Sequence, residues 1–311
     1  FFHIPISIVN TFIDAILIKP DLLICLGGVF YNGLGILLAG KILGVKTLVR
    51  SAEDHIGIIQ FESKFGFHGF YARLRAFISK LVIKNSDYFL TVGEWSIKYF
   101  REKYKLSPSR SFMIPGPIDS SICQRKSFLK TKEESKKYLI NRYLLPDKQK
   151  TILFIGSRVY KGIENVFELL EKIIKLNIST NVLWISNSSD IQKRVNASKL
   201  NRVTKIIKPV DREEIVNLIK GSDFLFWSTP LGVGYGQILL ESILCDTEIL
   251  CYQPVGDAKY LVKEKFYSNM NEVLNRITNK TIPKKIKIPE YMKEEILSNN
   301  YLDIFNYILD N

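Results

Sequence analysis

Two glycine-bearing segments carry the residues best suited to chemistry. In the first, the apolar run Thr151 to Ile155 leads straight into Gly156-Ser157-Arg158-Val159-Tyr160-Lys161-Gly162, and a helical pattern starts at Ile163. A strand, a loop with a glycine at each end and a helix let backbone N–H groups close on an anion at the positive helix terminus, where Arg158 and Lys161 add two cations. A diphosphate suits such a loop; a solvated basic turn is the plainer reading of the same residues. The order is that of neither a P-loop nor a dinucleotide-binding turn.

The second segment, Pro230 to Glu241, again lies between an apolar strand pattern and a helix. Gly234 and Gly236, flanking Tyr235, give a backbone free to approach a ligand. Gln237 opens the helix, and Glu241 falls about one turn into it. A carboxylate there can accept hydrogen bonds from two adjacent hydroxyls, such as those of a ribose. The alternative is a carboxylate that merely balances the helix dipole.

Both segments need strand ends to hold them, and the chain supplies strands and helices in alternation. Leu22 to Leu26 reads as a strand closed by Gly27-Gly28, Leu34 to Leu43 as a helix, and Val45 to Val49 as a strand leading to Arg50-Ser51-Ala52-Glu53-Asp54-His55. The uncharged stretch Leu22 to Gly40 is long enough for a membrane span, but its glycines favour strand, turn and helix. Tyr71 to Asn85 reads as a helix with Leu74, Phe77, Ile78, Leu81 and Val82 inward and a basic outer side. Strand Asp87 to Gly93, helix Glu94 to Tyr104 and strand Phe112 to Ile114 follow. A second series runs from Thr151 through strands at 181–186, 205–207, 224–227 and 248–252, with helices at 163–175, 212–220 and 237–245. The reading is an α/β protein of two domains, 1–120 and 151–311, joined by a basic connection, 121–150, and facing a central cleft.

At 311 residues the chain exceeds the ~250 to 300 at which one core stops growing, which supports two domains. Lys and Arg number 44 against 31 Asp and Glu, a net charge of +13, so an anionic partner is expected. No basic motif carries interleaved aromatics in a known module pattern, and nucleic acid is not the expected partner. Four cysteines without a C-x-x-C pair read as thiols in a reducing compartment. Three histidines, none at H-x-x-x-H spacing, offer little to a metal.

A strand ending in Gly-x-Arg-x-x-Lys-Gly, followed later by Gly-aromatic-Gly-x-x-x-x-Glu on a helix, resembles the donor half of GT-B glycosyltransferases of family 4, the group 1 type. Asp21 to Gly28, Arg50 to His55, Asp87 to Gly93 and Ile114 to Asp119 look like successive pieces of that family's Rossmann-like acceptor domain. The resemblance implies retaining transfer of a sugar from a nucleotide-sugar donor to a glycan, lipid-linked or other acceptor, with no metal or other cofactor. It implies that Arg158 and Lys161 hold the donor diphosphate and that Glu241 holds the ribose. Gly156, Gly162, Gly234, Tyr235, Gly236 and Gln237 would complete the donor site. On the acceptor side, Gly28, Glu53, Asp54 and His55 are the small or polar residues at strand ends, and His55 is either a catalytic base or a loop histidine.

The sequence departs from the family at three places. Val233 stands where the first Glu of the Glu-x7-Glu motif should be, and Cys245-Asp246-Thr247-Glu248 replaces a small-Gly-x-Pro run. The family's opening strand and glycine-rich loop would precede Phe1, which implies an N-terminal truncation. These departures keep a second reading open, a degenerate GT-B protein that binds a nucleotide-sugar or a partner without turnover. The resemblance and the charge together suggest a cytoplasmic protein in peripheral contact with an anionic membrane at its inner face.

Overall fold

The computed structural model describes residues 3–27, 29–54, 57–58, 70–116, 118, 121–122, 129–232 and 234–310. In chain order the elements are α1 (His3–Ile18), β1 (Leu22–Cys25), α2 (Asn32–Leu43), β2 (Lys46–Ser51), α3 (Phe70–Asn85), β3 (Tyr88–Thr91), α4 (Glu94–Tyr104) and β4 (Ser111–Met113). Then come α5 (Lys132–Tyr143), β5 (Lys150–Ile155), α6 (Ile163–Lys175), β6 (Thr180–Ile185), α7 (Ser189–Ala197), β7 (Thr204–Ile207), α8 (Arg212–Gly221) and β8 (Phe224–Trp227). The chain closes with α9 (Gln237–Leu244), β9 (Glu248–Cys251), α10 (Gly256–Val262), α11 (Met270–Ile277) and α12 (Glu294–Asp310). No helix among the described residues is long and apolar enough to cross a membrane.

The chain divides into two α/β units. The first comprises Phe1–Pro117, Gly232–Gly234 and Glu294–Asn311, and the second Ile118–Leu231 and Tyr235–Lys293. In the first, four parallel strands lie in the order β1-β2-β3-β4, with Leu48 opposite Tyr88 and Leu90 opposite Phe112. Alternate residues of these short strands serve opposite faces. Val49 and Phe89 join Ile36 and Leu37 of α2, Val82 of α3 and Phe100 of α4 in one core, while Leu48 and Leu90 meet Leu297 and Ile308 of α12 in another. Lys46 Nζ fixes the end of α12 through the carbonyls of Ile308 (2.8 Å) and Leu309 (3.1 Å).

The second unit has five parallel strands in the order β7-β6-β5-β8-β9. Leu153, Leu183 and Leu225 face α5, α8, α9 and α10, and Ile152, Val182 and Phe224 face α6, α7 and α11. Both faces being covered explains the near-continuous apolar runs of its strands.

Two expected boundaries move. Residues 121–150 are not a bare connection: Lys132–Tyr143 is a helix whose N-cap, Thr131, forms a capping box with Glu134. Ser135, Leu139 and Tyr143, four residues apart, are buried against the second unit, and the lysines between them mask that stripe in the sequence. The expected domain 151–311 also ends early, because α12 buries Leu297 and Ile308 on the first sheet. Cys25 and Cys251 are free and buried, but Cys245 is disulfide-bonded, contrary to the expectation of thiols throughout.

Candidate active site

Within the second unit the strand order reverses at β5: the chain moves outward through β6 and β7, then returns to β8 on the other side of β5. Parallel sheets leave a crevice outside the carboxyl ends of the two strands at such a reversal, and ligands bind there. The two segments singled out from the sequence follow those two strands, β5 and β8.

After β5, the Gly156 amide donates to the Ile185 carbonyl (3.2 Å), and its own carbonyl accepts from Trp184 Nε1 (2.8 Å), so the start of the loop is pinned to β6. Ser157 Oγ lies 3.1 Å from Ser186 Oγ. A single 3-10 turn, Val159–Lys161, then leads to Gly162, which has φ +83° and begins α6 without a side-chain cap. Any Cβ on Gly162 would run into the Ser228 carbonyl oxygen just after β8, so only glycine lets the two loops approach. Asn165 Nδ2 of α6 donates to Ser228 Oγ, tying them again.

Arg158 is exposed and Lys161 half-buried, and neither forms an ion pair among the described residues. Lys161 Nζ sits 5.1 Å from the centre of the Tyr160 ring. Two cations and an uncapped helix start therefore share one loop, the arrangement that stabilises a polyanion.

After β8, Gly234 and Gly236 have φ +84° and +74°, and the Trp227 ring fills the space a Gly236 side chain would need. Gln237 is exposed at the start of α9. The Tyr235 ring is buried in the core with its hydroxyl 3.3 Å from that of Tyr291, so this residue offers a ligand its backbone rather than its ring. Glu241 is only 4% exposed, which removes the reading as a surface carboxylate. Its Oε1 pairs with the Arg212 guanidinium at the start of α8, and Oε2 is buried with no hydrogen-bond partner. Desolvation pushes Arg212 down from its ordinary value, yet a guanidinium stays charged. Arg212, Asn165 and Ser228 were not foreseen; nothing in their spacing along the chain links them to Glu241 or Gly162.

In the first unit, Asp54 follows β2 and is 7% exposed, and Glu53 is half-buried with its carbonyl accepting from Ser51 Oγ (2.7 Å). Asp54 Oδ2 accepts from Lys103 Nζ (2.8 Å) and from the Tyr99 hydroxyl, while Oδ1 is buried without a partner. Burial, and then the hydrogen bond to Asp54, push the Tyr99 phenol up, so it remains a donor. Gly28, His55 and Val233 lie outside the described residues.

No family model and no curated protein matches the sequence. Solved structures do match. A glycosyltransferase from Rickettsia africae ESF-5 superposes with a TM-score of 0.72 at 15% identity, over 100% of this chain and 82% of that one. Anabaena HepE in complex with UDP-glucose gives 0.70 at 12%, over 97% and 80%. The catalytic domain of Arabidopsis thaliana starch synthase IV, bound to ADP and acarbose, gives 0.69 at 11%, over 97% and 76%. The chain thus has the GT-B fold of these glycosyltransferases, as its motifs implied.

Proposed function

We propose that this chain is a glycosyltransferase that moves a sugar, with retention and without a metal, from a nucleotide-sugar to an acceptor. The observation that carries the reading is the meeting of the Gly156–Gly162 loop with the Ser228 end of β8 at the reversal of the second sheet. Structures of the same fold hold UDP-glucose or ADP, which supports a nucleotide donor. The leaving diphosphate gains charge as the glycosidic bond breaks, and Arg158, Lys161 and the start of α6 stabilise that charge without rearranging. Glu241, fixed through Oε1 by Arg212, offers Oε2 to the ribose hydroxyls. The reading needs no cofactor. Glu53, Asp54, Gly28 and His55 are its acceptor-side candidates, and the acceptor is a glycan or a lipid-linked sugar met at the cytoplasmic face of a membrane.

A thermal-shift screen against UDP, GDP, ADP and their sugar conjugates, with and without Mg, tests the donor site beside the Arg158→Ala variant. One nucleotide series should stabilise the protein independently of Mg and lose its effect in the variant. Stabilisation with no sugar transfer to any acceptor would identify the degenerate, binding-only protein. No shift with any nucleotide, in a chain that melts cooperatively, rules the donor site out.

A further inference from the structure

The outward stripe of α3 differs from the one its sequence periodicity suggests. Phe70 is 75% exposed and Phe77 62%, and Arg73, Lys80 and Lys84 are exposed between and beyond them. The five positions step by three, four, three and four residues, which places them on one line along the helix. The inward face is instead Ser79, Val82 and Ile83, all buried. Phe77 was expected in the core; it stands among the cations. The helix contains no Asp or Glu, nor does α2, which packs against it and exposes Ile42 at 68%.

Two exposed phenylalanine rings aligned with three cations suit a surface that is apolar and negatively charged at once. We infer that this stripe is the surface by which the protein docks on an anionic lipid bilayer, with Phe70 and Phe77 entering the acyl boundary and Arg73, Lys80 and Lys84 at the phosphates. Interfacial helices combine these two features, and the positive net charge of the chain adds to the attraction. Because β2 and β3 are parallel, α3 must run from the carboxyl edge of the sheet back to its amino edge. Phe70 therefore lies toward the edge that carries Asp54. A lipid-linked acceptor would reach the first unit from that edge, a consequence that rests on the proposed transfer; the docking itself does not.

Flotation of the whole chain with phosphatidylcholine vesicles and with vesicles enriched in phosphatidylglycerol tests the inference. The chain should float with the second and not the first. The Lys80→Glu/Lys84→Glu variant should stay at the bottom, and Phe70→Ser/Phe77→Ser should lower the partition about tenfold, both with wild-type melting because the side chains are exposed. Arg158→Ala should float like wild type, which separates docking from donor binding. Equal recovery on both vesicles overturns the inference. So does wild-type partition of the phenylalanine variant, since attraction by charge alone would then serve any polyanion.

Discussion

Arg212 holds one oxygen of Glu241 while the other oxygen lies buried and unpaired, although 29 residues separate the two side chains in sequence. A carboxylate in that state is fixed in direction and short of a donor. In the proposed donor site a ribose diol would supply two donors to it.

Arg212→Ala should therefore act on both stability and binding. It strands a buried carboxylate, at a cost of about 2 kcal/mol, below the range for fully buried pairs because Arg212 itself is 39% exposed. Urea unfolding measures that cost, and nucleotide affinity should fall with it. Glu241→Gln, which keeps shape but not charge, should weaken nucleotide binding more than it weakens the fold.

Arg158→Ala and Lys161→Ala should each cut turnover about a hundredfold or more, corresponding to ~3 kcal/mol of lost transition-state stabilisation. Neither cation pairs within the described protein, so the melting temperature should stay where it is. Steady-state rates beside a thermal melt separate the two effects. A variant turning over at the wild-type rate removes that residue from the proposed chemistry.

Gly162→Ala asks for a side chain at φ +83° against the Ser228 carbonyl. The backbone term alone is about 1 kcal/mol, and the clash must push apart the ends of β5 and β8 as well. Loss of at least about 2 kcal/mol in unfolding free energy is expected, together with loss of nucleotide-dependent stabilisation. Unchanged stability would mean that the two loops are not held together in solution.

Asp87 gives a pH test away from the site. Burial alone would raise its carboxyl, but hydrogen bonds from the Thr47 hydroxyl (2.7 Å) and amide (2.9 Å) and the Lys41 ammonium (3.2 Å) outweigh it and hold the group below its usual range. A group lowered in the folded state contributes fully above its unfolded value and loses that contribution as pH falls through the folded one. The stability gap between wild type and Asp87→Asn should be widest near neutral pH and close as the solution is acidified below about pH 4. Melts across that range would show it, and a gap that does not change with pH would assign Asp87 a purely steric role.

Most of the architecture could be read from the chain because both sheets are parallel and buried, so strands appear as apolar runs and helices as stripes. The spans of α4, α6 and β8 match expectation residue for residue, and the Gly156–Gly162 loop stood out because glycine and positive charge coincide at a strand end. Three features escaped. Lys132–Tyr143 hid among lysines, since a stripe of Ser135, Leu139 and Tyr143 is thin beside so much charge. Phe77 was placed inside by its apolarity, which says nothing about the direction it faces once Ser79 and Val82 take the core. Arg212 met Glu241 only because α8 and α9 are neighbours in space, and pattern along the chain carries no such information.

The packing of α12 on the first sheet sets the order in which the protein can be completed during synthesis. One face of that sheet, with Leu48 and Leu90, has its cover in Leu297 and Ile308, more than 200 residues downstream. Until the ribosome has passed Asp310, the first-made unit must wait with an apolar face uncovered while the second-made unit can already close around its own sheet. The half of the molecule made first is thus finished last, and a chain cut short before α12 would fail in the unit farthest from the cut.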